Sequence, residues 1–313
     1  MHSRSSGLEA PPKTDPLGAV IALLRPQAIF SKVISGSGKW AVRYAKASDP
    51  AFCVVLAGGC YLDAEGVGKL ELGEGDFVFF PATPGFTMAS DLSLKPKLVL
   101  PSHGEELRHG KKDGEPTLRM LGGYFRFDRA NAQLLLRFLP LVILIRGDEP
   151  GAARLRRVVE LIAEETRETL SGRELVLERL VEILLVEALR FEPATGVETQ
   201  GLLSGLSDPG LGRAIRQMHE HVARSWTVAE LAKEAGMSRA VFAERFMRKV
   251  GMPPMQYLLE WRVAIAKDIL RREKAPLSEV AELIGYQSAS AFSTAFSRAA
   301  GVSPSVFARE LAT

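Results

Sequence analysis

The sequence predicts an α+β multidomain chain: a β-rich domain first, a helical segment attached to it, and an all-α domain of two helix-turn-helix units last. Three observations predict it. Short runs of β-branched and aromatic residues, broken by Gly and Pro, fill residues 40–128. Apolar residues then recur at helical spacing between residues 151 and 192. The C-terminal part from residue 208 contains one sequence pattern twice.

Length and composition agree with two domains. The chain has 313 residues, against a prior of roughly 100–200 residues per domain. Hydrophobic content of 46% and charged content of 25% are ordinary for a globular protein. No apolar run reaches the roughly 18–20 residues of a membrane span, so no membrane partner is expected. Residues 1–14 are polar and Pro-containing, without the apolar core of a secretory signal, and read as a disordered tail. The two cysteines, Cys53 and Cys60, do not make a disulfide framework, and together with that start they point to the cytoplasm. Charge is unevenly spread. Residues 208–313 hold 15 Lys and Arg against 11 Asp and Glu, while the rest hold 25 against 26. The excess positive charge therefore lies in the repeated region, as a phosphate-binding surface requires.

Residues 15–25 (DPLGAVIALLR) read as a short helix. The runs KWAVRYAK, AFCVVLAG, CYLD, KLEL, DFVFFPA and TLRMLGGYFRFD read as strands of a sandwich or barrel, separated by turns such as LGEGD and PATPG. Their apolar residues Trp40, Val42, Phe52, Val54, Tyr61, Phe77, Phe79 and Phe86 form either a filled core or the lining of an apolar ligand pocket. After residue 128 comes a short apolar helix with a strand-like end, then two helices broken at Ser171-Gly172. In the second of these, Leu177, Leu180, Val181, Leu184, Leu185, Ala188 and Leu189 make an apolar stripe. It packs either on its own β domain or on a second copy of the chain. Residues 193–207, rich in Gly, Ser and Thr, read as a linker, which places the domains at 15–192 and 208–313.

The repeat carries the most information. TVAELAKEAGMSRAVFAERFMRKVGMPP begins at Thr227, and PLSEVAELIGYQSASAFSTAFSRAAGVSP at Pro276. Gly236, Ser238, Phe242, Phe246 and Gly251 correspond to Gly285, Ser288, Phe292, Phe296 and Gly301, with one residue inserted where Met237 faces Tyr286-Gln287. Thr227 and Glu230 make a capping box. Gly236 and Gly285 allow a sharp turn, and Ser238 and Ser288 cap the next helix. The Phe pairs, spaced i and i+4, fill the core. Opposite them the first unit presents Arg239, Ala240, Ala243, Glu244 and Arg248, and the second presents Ala289, Ser290, Ser293, Thr294, Ser297 and Arg298. In a helix-turn-helix such faces contact base edges while flanking basic groups hold phosphates. The segment MQYLLEWRVAIAKDILRREK would join the units as a ruler between adjacent major grooves, roughly 34 Å apart. Double-stranded DNA is the partner that this arrangement predicts.

AELAKEAGMSRAVFAERF, GMPPMQYLLEWRVAIAKDIL and VAELIGYQSASAFSTAFSRAAGVSPSVFAR resemble the AraC/XylS family of bacterial transcription regulators over residues 211–309. The resemblance implies two helix-turn-helix units joined by a long helix. It also implies base-facing positions at Ala240, Ala243 and Glu244 in the first unit and Ser290, Ser293 and Thr294 in the second. DPLGAVIALLRP, LAGGCYLD, LELGEGDFVFFPATPG and GGYFRFD resemble the cupin-like sensor domain, a β-barrel, of a group within that family. The functions implied are those of a transcription regulator: a small-molecule effector in the cupin-like domain, a homodimer through helices 151–192, and contact with RNA polymerase if the protein is an activator.

The competing reading is a cupin-type enzyme, or an alkyl-accepting repair protein, with a DNA-targeting tail. It lacks support in the residues. There is no His-x-His, Phe86 stands where a ligand His often follows the Pro-rich turn, and His103 and His109 lie in what reads as a polar, solvated loop. Nothing flanking Cys53 or Cys60 would activate a thiolate. The expectation is no enzyme chemistry, no catalytic residue, no metal and no cofactor. A sensor domain that only dimerises stays open.

Overall fold

The computed structural model describes residues 15–47, 49–99, 106–128, 131–132, 136–167, 170–191, 200–272 and 275–310. The expected tail at 1–14, His103 and the start of the expected linker lie outside them. The described residues form two compact units. One takes its residues from 26–127 and 140–197, the other from 1–25, 128–139 and 198–313.

The first unit is a cupin-like β domain of two sheets rather than one closed barrel. β1 (Gln27–Ser37), β3 (Ala51–Gly58), β6 (Phe77–Phe80), β9 (Glu106–Gly110), β10 (Leu118–Arg126) and β11 (Ile143–Ile145) form a sheet in the order β11-β6-β3-β10-β1-β9. β2 (Ala41–Tyr44), β4 (Cys60–Ala64), β5 (Gly68–Leu72), β7 (Phe86–Ala89) and β8 (Lys97–Val99) form the other, in the order β5-β4-β7-β2-β8. One apolar cluster, including Val42, Leu62 and Met88 of the second sheet and Val55, Phe80 and Met120 of the first, joins the two. The turn before β6 is made by Gly75, at φ +82°, and by Asp76. The Asp76 carboxylate accepts from the Gly73 N–H, from the Gly147 N–H and from Arg146 at 2.7 Å, so a buried charge is fully partnered.

Helices α2 (Ala153–Arg167) and α3 (Arg173–Arg190) pack on each other, with α3 against β1 and β11 and α2 against β3. Val181, Leu184, Leu185, Ala188 and Leu189 are buried in this unit, as is Leu177. The apolar stripe thus packs on its own domain. The apolar side chains that α2, α3 and the turn between them leave exposed are Leu161, Leu170, Leu175, Val176 and Ile183.

The second unit is helical: α1 (Pro16–Leu24), α4 (Leu202–Ser207), α5 (Pro209–Glu220), α6 (Val228–Ala235), α7 (Arg239–Val250), α8 (Pro254–Arg272), α9 (Leu277–Leu283), α10 (Ala289–Ala300) and α11 (Pro304–Glu310). Part of the expected linker is therefore helix α4, held by the fully buried Leu202. Two segments that the sequence suggests for the first domain also lie in this unit. α1 packs on α5 and α8, and residues 128–139 accompany it. Arg25 donates to Asp268 at 3.0 Å, Arg271 pairs with Asp128, and the Phe138 ring lies 4.8 Å from Tyr257. These contacts link residues more than 100 positions apart, beyond the reach of any local pattern.

Candidate nucleic-acid interface and apolar cavity

The two reading units are built by local chemistry. The Thr227 hydroxyl accepts from the Glu230 N–H, and the Glu230 carboxylate accepts from the Thr227 N–H at 2.8 Å, which starts α6. Gly236 ends it with φ +71°, a conformation that L side chains resist. Ser238 then caps α7 through the Val241 N–H, and Ser288 caps α10 through the Ala291 N–H at 3.2 Å. Phe242, Phe246, Phe292 and Phe296 are fully buried.

With the Phe pairs inward, Arg239, Ala240, Glu244 and Arg248 are exposed and Ala243 is half-buried on α7. On α10, Ser290, Thr294 and Arg298 are exposed, and Ala289, Ser293 and Ser297 are half-buried. Each set lies on one helix face, opposite its core. Two refinements follow. The Thr294 hydroxyl donates to the Ser290 carbonyl at 3.1 Å, which leaves it an acceptor and a methyl group for a ligand. Met247, four residues after Ala243, is 49% exposed on the same face, and so is Val241 at 50% beside it. Sequence reasoning passed over both because apolar residues on an amphipathic helix read as core. Arg245 is not on this face: it pairs with the buried Asp208, which caps α5.

The first unit holds a cavity of about 210 Å³. Its walls come from both sheets and include Ile34, Tyr44, Leu62, Phe80, Phe86, Met88 and Met120, with Lys32, Asp49 and Thr83 as polar members. Tyr44 stacks on Phe86 at 4.9 Å, and Phe86 on Phe80 at 5.7 Å. Burial holds the Lys32 ammonium below its ordinary pKa and pushes the Tyr44 phenol up to about 12.

Of the eight residues proposed from the sequence as a core or pocket lining, Phe52 and Phe86 border the cavity, Phe52 with its ring 5.1 Å from Phe125. The other six are elsewhere. Trp40 and Val42 belong to the same apolar cluster as several cavity walls but do not border the cavity themselves. Val54 is buried on the face of β3 opposite Cys53 and Val55. Phe77 and Phe79 point away from Val78 and Phe80, and Phe79 packs edge-on against Phe125. Tyr61 is 37% exposed because Cys60 and Leu62 take the inward positions of β4. The reason is the two-residue alternation of a strand: one step of register sends a side chain to the other face. In β6 all four residues are apolar and buried, so the sequence carries no signal of which pair faces the cavity.

His109 is a further correction. It lies on β9, 8% exposed and stacked on Trp40 at 5.4 Å, rather than in a solvated loop. Burial lowers its pKa. Among the described residues, no group of three or more His, Cys, Asp and Glu side chains is placed to hold a metal ion. Burial pushes the Cys60 thiol up to about 12 and raises that of Cys53 as well, the opposite of what a nucleophile needs. No helix among the described residues is long and apolar enough to cross a membrane.

Comparison with known proteins agrees with both halves. A cupin family model matches residues 15–191, and a helix-turn-helix domain model matches residues 231–310. An AraC-like transcription regulator of Streptomyces lividans is 34% identical over 296 residues, covering 93% of this chain and 96% of that protein. The HTH-type transcriptional regulator MtrA of Neisseria gonorrhoeae is 29% identical over 287 residues, 87% of this chain and 91% of that one. Among solved structures, ToxT from Vibrio cholerae aligns over 93% of this chain and 98% of its own, at 11% identity and a TM-score of 0.36.

Proposed function

The chain belongs to the AraC-like transcription regulators, DNA-binding proteins with a cupin-type N-terminal domain, and from that premise we propose that its cupin domain is the sensor of an apolar small molecule. The observation that carries this is the cavity between the sheets. Its wall is mostly aromatic and aliphatic, with Lys32 as a cationic member, which suits an apolar body with one polar or negative group. The domain acts as a sensor and not as an enzyme, a reading supported by the raised thiol pKa values. The effector and the DNA site would then change each other's affinity by the same factor.

The reading faces are Arg239, Ala240, Ala243, Glu244 and Arg248 in the first unit, and Ala289, Ser290, Ser293, Thr294, Ser297 and Arg298 in the second. With short side chains at most base-facing positions, much of the affinity would come from the backbone. Replacing Arg248 with Ala is expected to weaken binding to every duplex and to reduce the log–log salt slope by about 0.9. An unchanged slope would remove Arg248 from the phosphate contacts. The protein would work in the cytoplasm as a homodimer. The outer apolar side chains of the 151–192 helices, Leu161, Leu175, Val176 and Ile183, are the surface for it. An activator would also contact RNA polymerase.

The sensor reading is tested with 8-anilinonaphthalene-1-sulfonate, an apolar anion. Full-length protein should bind it, and Met88→Trp, which fills the cavity, should abolish that binding at unchanged melting temperature. Binding that survives in the folded variant would place the probe elsewhere and sink the assignment.

A further inference from the structure

The second helix-turn-helix has one residue more at its turn than the first, Tyr286-Gln287 against Met237. Neither reading face uses Tyr286. Its ring lies beside Arg262 of α8, whose guanidinium carbon is over the ring at 5.7 Å from its centre, within reach of a cation–π attraction. Arg262 has a second set of partners. Its Nε and Nη2 donate to the Val222 carbonyl at 2.9 and 2.8 Å, and Nη2 also donates to the Arg224 carbonyl at 2.8 Å. Those carbonyls belong to the turn that leads to Thr227, the cap of the first reading unit. The same two turns also meet through the backbone. A Cβ on Gly285 would lie 2.2 Å from the Ala223 carbonyl oxygen, and Gly285 has φ +83°. Nothing larger than glycine fits there.

Arg262 therefore sits on the joining helix, pins the entrance of the first unit and stacks on the turn of the second. A planar guanidinium suits this because it serves two carbonyls and an aromatic face at once, which a lysine ammonium does not. We propose that Arg262, with Tyr286 and the Gly285–Ala223 contact, is a latch that joins the two helix-turn-helix units into one rigid reader and so fixes the spacing between the two DNA segments read. Helix α8 sets the distance between the units. The latch removes the remaining freedom of each unit to swing about its end of that helix. Arg262 is a positioning residue that acts through α7 and α10.

The test measures that freedom directly. In the full-length chain, Lys233→Cys on α6 and Glu282→Cys on α9 place spin labels at exposed positions, while the native Cys53 and Cys60 are buried. With the labelled chain diluted into unlabelled protein, double electron–electron resonance is expected to give one narrow distance. In Arg262→Ala that single distance should be lost to a broad or multi-component distribution, with helix content retained by circular dichroism. Selection from random duplexes should show the same change as several spacings between unchanged half-motifs. A folded Arg262→Ala variant with the original narrow distance overturns the proposal, since a merely structural arginine would lower the melting temperature and leave the distance alone. If Arg262→Ala does not fold, Tyr286→Leu decides by the same criterion: broadening supports the latch, and an unchanged distance overturns it.

Discussion

Acidification from pH 7 to pH 5 is expected to destabilise the helical DNA-binding unit by an amount set largely by one residue, His219. Its ring is buried on α5, 3.9 Å from the stacked Trp261 ring and 2.7 Å from the Tyr257 hydroxyl. Burial lowers its pKa from 6.5 to about 3. Between those two values the unfolded chain binds a proton that the folded chain refuses. The sign follows from linkage: stability is fully present above the unfolded pKa and falls as the pH drops toward the folded one. The slope in that window is about 1.4 kcal/mol per pH unit. Asp208 and Glu230 also have lowered pKa values, and their contributions are lost at more acid pH, through the carboxylate range. His109 has the same sign but lies in the cupin domain. Denaturant unfolding followed by Trp226 and Trp261 fluorescence in the helical unit would read the effect. His219→Gln should flatten the profile from pH 7 to 5. A wild-type profile already flat there would mean that His219 is solvated or charged in the folded state.

Truncating either reading unit's core should cost more still. Phe242 and Phe296 are each fully buried. Phe242 packs on Phe246 at 5.6 Å, and Phe296 touches both Phe292 at 5.5 Å and Phe307 at 5.6 Å. Replacing either with Ala is expected to cost roughly 3–5 kcal/mol, through lost transfer energy and the cavity left behind. The reading helix would lose its seat, so DNA binding should fall along with stability. Arg248→Ala differs in kind: it should weaken binding without lowering the melting temperature. A Phe296→Ala protein as stable as wild type would show that the α10 core face is misassigned.

How much was legible depended on the reach of the interaction. The capping box at Thr227 and Glu230, the left-handed Gly236, the Ser238 cap and the Phe242–Phe246 pair are contacts within four residues, and all stand in the structure as the pattern implied. The repeat doubled that signal. The exposed faces of α7 and α10 followed from the same periodicity. Arg262 gave no such signal, because its partners Val222 and Arg224 lie 40 and 38 residues away. The cavity was legible only as a composition. Strands β3 and β6 are buried on both faces, so their apolar residues looked alike, and strand alternation alone put Cys53 and Phe80 toward the cavity and Phe77 and Phe79 away from it.

By itself, then, the sequence determined a β-rich domain and a pair of helix-turn-helix units, the latter because they rest on short-range backbone chemistry written twice, and its resemblance to a known family implied the cupin-like sensor and the regulator. Only the tertiary structure decided which side chains enclose the cavity, that α1 and residues 128–139 pack with the helical unit, and that the inserted Tyr286 meets Arg262. Each of these depends on pairing between distant segments, where a single residue of register or a single close backbone approach chooses among otherwise equivalent apolar and basic residues.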